Sequence, residues 1–178
     1  MLAEALQREY GVPKKQLVIL DAGCGTGLSG PLITDYAAKL VGVDLSAGIL
    51  AKAKSRNVYD ELIKAELTTY LRTKLKAFDV ILMADTFIYF GALNEVLAAA
   101  RSALRDGGYL FFSAESLVSD NPSLDYYLNP HGRYCQSDDY LKRTLKAAGF
   151  TIVALDTAVL RHEKGSPVQS FIVSCCAV

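Results

Sequence analysis

Apolar residues gather along this chain in two rhythms. Short, nearly unbroken apolar runs stand at Leu17–Asp21 (LVILD), Leu40–Asp44 (LVGVD), Phe78–Ala84 (FDVILMA) and Tyr109–Ser113 (YLFFS), with a weaker run at Glu61–Ala65. Between them, Leu32–Ala38, Ala47–Ser55, Glu66–Leu75 and Leu93–Leu104 space their apolar residues as one face of a helix does. Continuous apolar strands separated by helices predict a parallel sheet covered on both faces, because a strand with one wet face would alternate instead. The first ten residues, MLAEALQREY, predict an amphipathic helix and lack the pattern of a signal peptide.

The last third changes style. Asp138–Ala148 (DDYLKRTLKAA) reads as an amphipathic helix stopped by Gly149. Phe150–Leu160 and Val168–Val178 read as two strands joined by RHEKGSP, with Gly165 and Pro167 as breakers. A link that short cannot hold a crossover helix, so the two strands should pair antiparallel. The chain has 178 residues, which predicts one domain over 1–178.

Composition narrows the partners. Lys plus Arg equals Asp plus Glu, and no basic run occurs, which argues against a surface that grips nucleic acid through its phosphates and for a small-molecule partner. Four cysteines, Cys24, Cys135, Cys175 and Cys176, form no C-x-x-C pair, so neither a zinc site nor a disulfide framework is expected. Reduced thiols predict a cytoplasmic location. No apolar window is long enough to cross a membrane. No metal ligand set is expected.

The most informative stretch is LVILDAGCGTGLSG. A strand ends at Asp21 and glycines follow at 23, 25 and 27, where the carboxyl end of a strand in an open sheet binds ligands. The dinucleotide pattern G-x-G-x-x-G needs glycine at 28, where Leu28 stands, and the phosphate loop needs a lysine that is absent. What stands here is Asp-x-Gly-x-Gly-x-Gly. It resembles the first motif of class I S-adenosylmethionine-dependent methyltransferases. The resemblance spans the chain. GVDLSAGILAKAK, VYDEL, ADTFIYFG and GRY at Gly132–Tyr134 are similar to a small bacterial group of predicted methyltransferases, some of which carry tetratricopeptide repeats. It implies a Rossmann-like, doubly wound α/β fold with seven mostly parallel strands in the order 3-2-1-4-5-7-6, the last antiparallel. It also implies more sequence before the first strand than the single helix present here, including a lid over the cofactor.

The same resemblance assigns roles. Asp21, with Ala22, Gly23, Cys24, Gly25 and Gly27 of the loop, would hold the methionine end of S-adenosylmethionine. Asp21 would take the amino group, and main-chain groups of Gly23–Gly25 the carboxylate. Asp44 would accept from the ribose hydroxyls; its competing role is to cap the next helix, for which Ser46 is the better residue. Leu45 lies against adenine or simply packs. Glu66 and the N–H of Leu67 meet the adenine edge, or Glu66 serves as an acid in the first turn of a helix. Ala84 and Asp85 lie near the transferred methyl.

The acceptor half is less legible, because methyl transfer from a sulfonium needs little beyond positioning and a dry pocket. No [N/D]-P-P-[Y/F] tetrapeptide follows the fourth strand, where ADTF stands, which argues against amino groups of bases or glutamine amides as acceptors. About two dozen residues, SAESLVSDNPSLDYYLNPHGRYCQ, separate the fifth strand from the Asp138 helix, where ~2–6 are usual. Their Tyr126, Tyr127, His131, Arg133 and Tyr134, with Tyr89 and Phe90 opposite, are expected to wall an acceptor site. His131, Tyr89 and Asp85 are the catalytic candidates; His162 is read as solvated in a charged turn. Three functions fit: a methyltransferase acting on a small-molecule or carrier-bound acceptor, a non-catalytic S-adenosylmethionine-binding module that regulates or docks, and an NAD-dependent oxidoreductase.

Overall fold

The computed structural model describes residues 1–119, 121, 123–163 and 165–178. A helix, α1 (Leu2–Tyr10), precedes the central strand β1 (Leu17–Ala22). The parallel strands β2 (Ala37–Asp44) and β3 (Glu61–Lys64) lie to one side of it, and β4 (Phe78–Met83) and β5 (Leu104–Ser116) to the other. On the far edge of β5, β9 (Ser166–Ala177) runs antiparallel, and among the described residues β8 (Phe150–Glu163) pairs only with β9. The order β3-β2-β1-β4-β5-β9-β8 is the arrangement expected from the seven predicted strands.

Two short strands are additions. β6 (Tyr126–Leu128) and β7 (Tyr134–Gln136) form an antiparallel ribbon inside the long connection. β7 pairs in parallel with Glu115 and Ser116, beyond the point where β4 ends opposite Phe112. It thereby fills the edge of β5 that β4 leaves open. Three-residue strands carry no readable period, which is why the sequence presents this segment as a loop.

Both faces of the sheet are buried, and that explains the unbroken apolar runs. Leu20, Ile81, Met83, Leu110 and Phe112 face α4 (Leu67–Arg72), α5 (Asn94–Ala103) and α6 (Asp138–Ala147). Ile19, Val80, Leu82 and Phe111 face α1 and α2 (Gly30–Ile33). Residues i and i+1 of one strand thus serve two cores. Among the described residues no helix is long and apolar enough to cross a membrane, and the four cysteines are free thiols.

Several boundaries differ from expectation. Leu32–Ala38 is not a helix: α2 ends at Ile33, and Ala37 and Ala38 already belong to β2. The cause is Tyr36, whose side chain is buried, whose hydroxyl donates to Gly11 O at 3.0 Å and whose carbonyl accepts from the N–H groups of Gln16 and Leu17. β5 starts at Leu104 and continues to Ser116, and β8 runs on to Glu163, so His162 lies in a strand and not in a turn. β8 also bulges twice, between Ile152 and Ala154 and between Val159 and Arg161.

Glu66 is the N-cap of α4: its carboxylate accepts from the N–H groups of Thr68 at 2.9 Å and Thr69 at 2.7 Å. Partial burial works to raise its pKa, but the hydrogen bonds from Thr69 and Thr68 outweigh burial and hold it at about 2. Glu66→Ala is expected to lower stability by about 1 kcal/mol, the usual value of a cap. Because the folded pKa lies below the ordinary 4.5, the difference from wild type should be full above pH ~4.5 and vanish as pH falls toward ~2. Thermal melts of both proteins across that range check it.

Candidate functional site

The carboxyl ends of β1, β2, β3 and β4 meet along one edge of the sheet, and the loops that leave them build the site. The glycine loop after β1 is pinned to β2, since Gly23 N and Cys24 N both donate to Val43 O, at 2.8 and 3.0 Å. Asp44, the last residue of β2, reaches across: its Oδ2 accepts from Gly25 N at 3.0 Å and its Oδ1 from Ser46 N at 2.9 Å. Ser46 is the true cap of α3 (Ala47–Lys54), accepting from Ile49 N at 3.3 Å. Asp44 therefore fastens the loop and the helix start to one another and still has lone pairs turned elsewhere.

Four glycines make room for protein side chains. A Cβ at Gly27, Gly30 or Gly42 would lie 2.9–3.0 Å from the ring of Tyr59, and one at Gly23 would lie 2.6 Å from Thr86 Oγ1. Gly25, at φ +54°, has nothing within 4 Å of its Cβ position, so it is the glycine of the motif that opens onto free space. Tyr59, which the sequence does not single out as a site residue, lies under the loop and donates its hydroxyl to Asp21 Oδ2 at 2.6 Å. Asp21 is 1% exposed. Its burial raises the carboxyl pKa to about 6, against the lowering effect of the Tyr59 hydrogen bond and with a further rise from Asp44. Burial likewise pushes the Cys24 thiol up to about 12, so it stays a neutral packing group. Thr86, also not singled out, ties the end of β4 to that of β1 by donating to Ala22 O at 2.8 Å.

Two cavities open on this edge. The first, about 290 Å³, has Gly23, Asp44, Glu66, Asp85 and Thr86 as its polar lining. Val43, Leu45, Ile49, Ala65, Leu67, Tyr89 and Phe90 supply its apolar walls. The second, about 250 Å³, is bounded by Met1, Leu2 and Ala3 at the start of the chain, Ser29, Leu32 and Ile33 around α2, and Leu82 and Ala84 of β4 and its end. Ser113 of β5, Leu160 of β8 and Ile172 of β9 close it. Asp85 lines both.

Of the residues singled out in the sequence, Gly23, Asp44, Leu45, Glu66, Leu67, Asp85 and Tyr89 line the first cavity and Ala84 the second. Asp21, Ala22 and Cys24 are buried beneath the loop. The N–H groups of Gly23, Cys24 and Gly25 are all engaged within the fold, and so are the carbonyls of Cys24, which accepts from Gly27 N, and of Thr26, which accepts from Arg56 Nε; of Gly23–Gly25 it is the two glycine carbonyls that can meet a ligand. His131, Arg133 and Tyr134 belong to the β6–β7 ribbon, and neither cavity is lined by them. Tyr134 packs edge-on against Tyr126, whose ring also meets Tyr140 of α6. The aromatics of that segment thus anchor the ribbon to the body of the domain. Among the described residues no cluster of His, Cys, Asp or Glu has the arrangement of a metal site.

Comparison with known proteins agrees with this geometry. The methyltransferase-domain family profile matches residues 20–112, just over half of the chain. A mitochondrial ubiquinone biosynthesis O-methyltransferase from Candida albicans is 26% identical over 117 residues, 62% of this chain and 36% of that protein. An 18S rRNA (guanine-N(7))-methyltransferase from Bos taurus is 34% identical over 114 residues, 64% of this chain and 39% of that protein. The chain therefore spans well under half the length of these two relatives. In fold, it superposes on a SAM-dependent methyltransferase from Methanosarcina mazei with a TM-score of 0.77 over 97% of both chains at 15% identity. A strand order of 3-2-1-4-5-7-6 around an Asp-x-Gly-x-Gly-x-Gly loop, together with the match across β1 to β5, excludes the dinucleotide reading: the chain belongs to the methyltransferase-domain family and is a class I S-adenosylmethionine-dependent methyltransferase domain.

Proposed function

We propose that the first cavity holds S-adenosylmethionine and that the domain transfers its methyl group to a small-molecule or carrier-bound acceptor. The observation that carries this reading is the convergence, in one cleft, of the Asp44 carboxylate, Gly23 of the glycine loop and an apolar wall, with the cleft meeting a second cavity at Asp85. That donor and acceptor set suits a nucleoside. When bound, the cofactor supplies a methyl group activated by its sulfonium and leaves as a neutral thioether.

The chain's own residues bind and orient. Asp44 accepts from the ribose hydroxyls with the lone pairs that Gly25 and Ser46 leave unused. Leu45, which is 65% exposed, and Ile49 cover the faces of the base. Glu66 and the N–H of Leu67 stand at the far end, where the adenine edge belongs. The loop carbonyls suit an ammonium group better than a carboxylate, and Asp21 beneath adds negative charge on the same side. A cleft that opens into a second cavity favours an enzyme over a module that only binds the cofactor. Balanced charge favours a small acceptor over nucleic acid.

Asp44→Ala is expected to weaken S-adenosylhomocysteine binding about thirtyfold, near 2 kcal/mol, the scale for losing a charged hydrogen-bond partner. Calorimetry measures it, with a thermal melt to show that the loop anchored by Asp44 has not collapsed. Equal affinity in both proteins would remove the ribose assignment.

A further inference from the structure

Asp85 stands at the junction of the two cavities in an unusual posture. Its backbone is left-handed, at φ 52°, a conformation uncommon outside glycine and stabilised here by neighbours. Its N–H donates to Ser113 Oγ at 2.9 Å, and the Ser113 hydroxyl donates to its Oδ1 at 3.4 Å. The carboxylate is 55% exposed, and Arg161 Nη1 lies 3.8 Å from it. The same guanidinium is ion-paired through Nη2 with Glu115, whose side chain is 4% exposed. Arg161 reaches this place because β8 bulges at Leu160. In a regular strand, successive side chains face opposite sides. The bulge lets Leu160 line the second cavity while Arg161 meets the two acids beside it, the kind of re-aiming that bulges next to functional sites perform.

The charges decide what the second cavity can accept. Glu115 neutralises Arg161, so the trio carries one net negative charge, presented at Asp85. The rest of the lining is mostly apolar, from Leu32, Ile33, Leu82, Leu160 and Ile172. We propose that this cavity is the methyl-acceptor site, taking a small, mainly apolar molecule that presents a hydroxyl or an amine, and that Arg161 with Glu115 positions Asp85 to meet it. This rests on the reading that the first cavity holds the cofactor. The acceptor's lone pair forms the new bond to the methyl carbon, its proton passes to an Asp85 oxygen, and the electron pair of the broken S–C bond stays on sulfur. A carboxylate acceptor has no proton to give and meets like charge at Asp85.

The test uses the protein saturated with S-adenosylhomocysteine and titrated with 4-ethylphenol, 4-ethylaniline and 4-ethylbenzoate under ligand-detected NMR. The phenol and the aniline should bind, and the benzoate at least about tenfold more weakly. Ile172→Trp, which fills the cavity, should abolish phenol binding. Arg161→Leu alone leaves Glu115 buried and unpaired, so the informative variant is Glu115→Leu/Arg161→Leu, which removes both charges together. It should keep S-adenosylhomocysteine affinity within about twofold and weaken phenol and aniline binding several-fold, because Asp85 is no longer held, whereas Asp85→Asn, which removes the net charge, should lose most of the phenol-over-benzoate preference and Arg161→Lys should keep it. Benzoate binding as tight as the phenol, phenol binding that survives Ile172→Trp, unchanged phenol binding in the double variant, or an unchanged preference in Asp85→Asn overturns the proposal. Normal S-adenosylhomocysteine binding with neither phenol nor aniline bound overturns it alone; failure of the wild type to bind S-adenosylhomocysteine overturns the cofactor assignment and this proposal with it.

Discussion

Gly25→Val is expected to weaken S-adenosylhomocysteine binding by about a hundredfold or more, roughly 3 kcal/mol, while the protein stays folded. The backbone at Gly25 sits at φ +54°, where a β-branched residue is strained by on the order of 1–2 kcal/mol. A domain with about 5–15 kcal/mol of stability survives that. Among the described residues beyond its chain neighbours, nothing lies within 4 Å of the added Cβ, so the fold itself does not clash. In the proposed cofactor site, the valine methyl groups would project into the space over the loop assigned to the methionine end. Calorimetry gives the affinity and circular dichroism the fold. A folded variant that binds like wild type would mean that the open side of Gly25 does not face the ligand. The same substitution at Gly23 would not be informative, because its Cβ runs into Thr86 and disturbs the fold directly.

The second large effect comes from Asp21 in the ligand-free protein. Its carboxyl group is nearly inaccessible, and its pKa of about 6 stands above the ordinary 3.8 because burial penalises the charged form. Between those two values the folded state holds a proton that the unfolded chain has released. Stability contributed by this group is therefore full below pH ~4 and lost as pH rises through ~6, by about 3 kcal/mol in all. Asp21→Asn keeps an acceptor for the Tyr59 hydroxyl and removes the ionisation. Urea denaturation of both proteins between pH 4.5 and 7.5 should show the variant gaining on wild type as pH rises. Exposed carboxylates such as Glu66 act in the other direction and at lower pH, so the difference between the two proteins isolates Asp21. A constant difference across the range would show that the buried carboxyl is not the source of the slope.

What the sequence discloses about this protein is what is local in it. The strands at Leu17, Leu40, Phe78 and Tyr109 are legible because both of their faces are buried, which leaves an unbroken apolar run. The glycine loop is legible because a left-handed backbone and crowded contacts select one residue type. Tyr59, Thr86, Glu115 and Arg161 are not legible, since each acquires its role from a partner 38 or more positions away: Asp21, Ala22, Arg161 and Asp85. The segment 32–38 misleads because its apolar spacing is shared between a helical turn and the start of β2, with buried Tyr36 between them. The length of the connection after β5 marks it as unusual but does not disclose its form, a ribbon that continues β4 along β5. The glycines teach a related lesson. Their spacing marks the loop correctly, yet three of the four crowded positions at Gly23, Gly27, Gly30 and Gly42 answer to the Tyr59 ring and one to Thr86.

The bulges of β8 matter beyond the residues they aim. β8 is the outermost strand on its side, 14 residues long, and among the described residues has only β9 as a neighbouring strand. A straight strand of that length would offer its free N–H and C=O groups as a template on which a second copy, or a partly folded chain, could add by strand pairing. Two interruptions in the ladder, at Ile152–Ala154 and Val159–Arg161, leave only short stretches in regular register, and Asp156 and Arg161 place charge along them. Aggregation by edge-to-edge growth is hindered by the same irregularity that brings Arg161 to Asp85. A substitution that straightened β8 would then put both at risk at once: the Arg161 contact that holds Asp85 and the protein's resistance to fibre-like association.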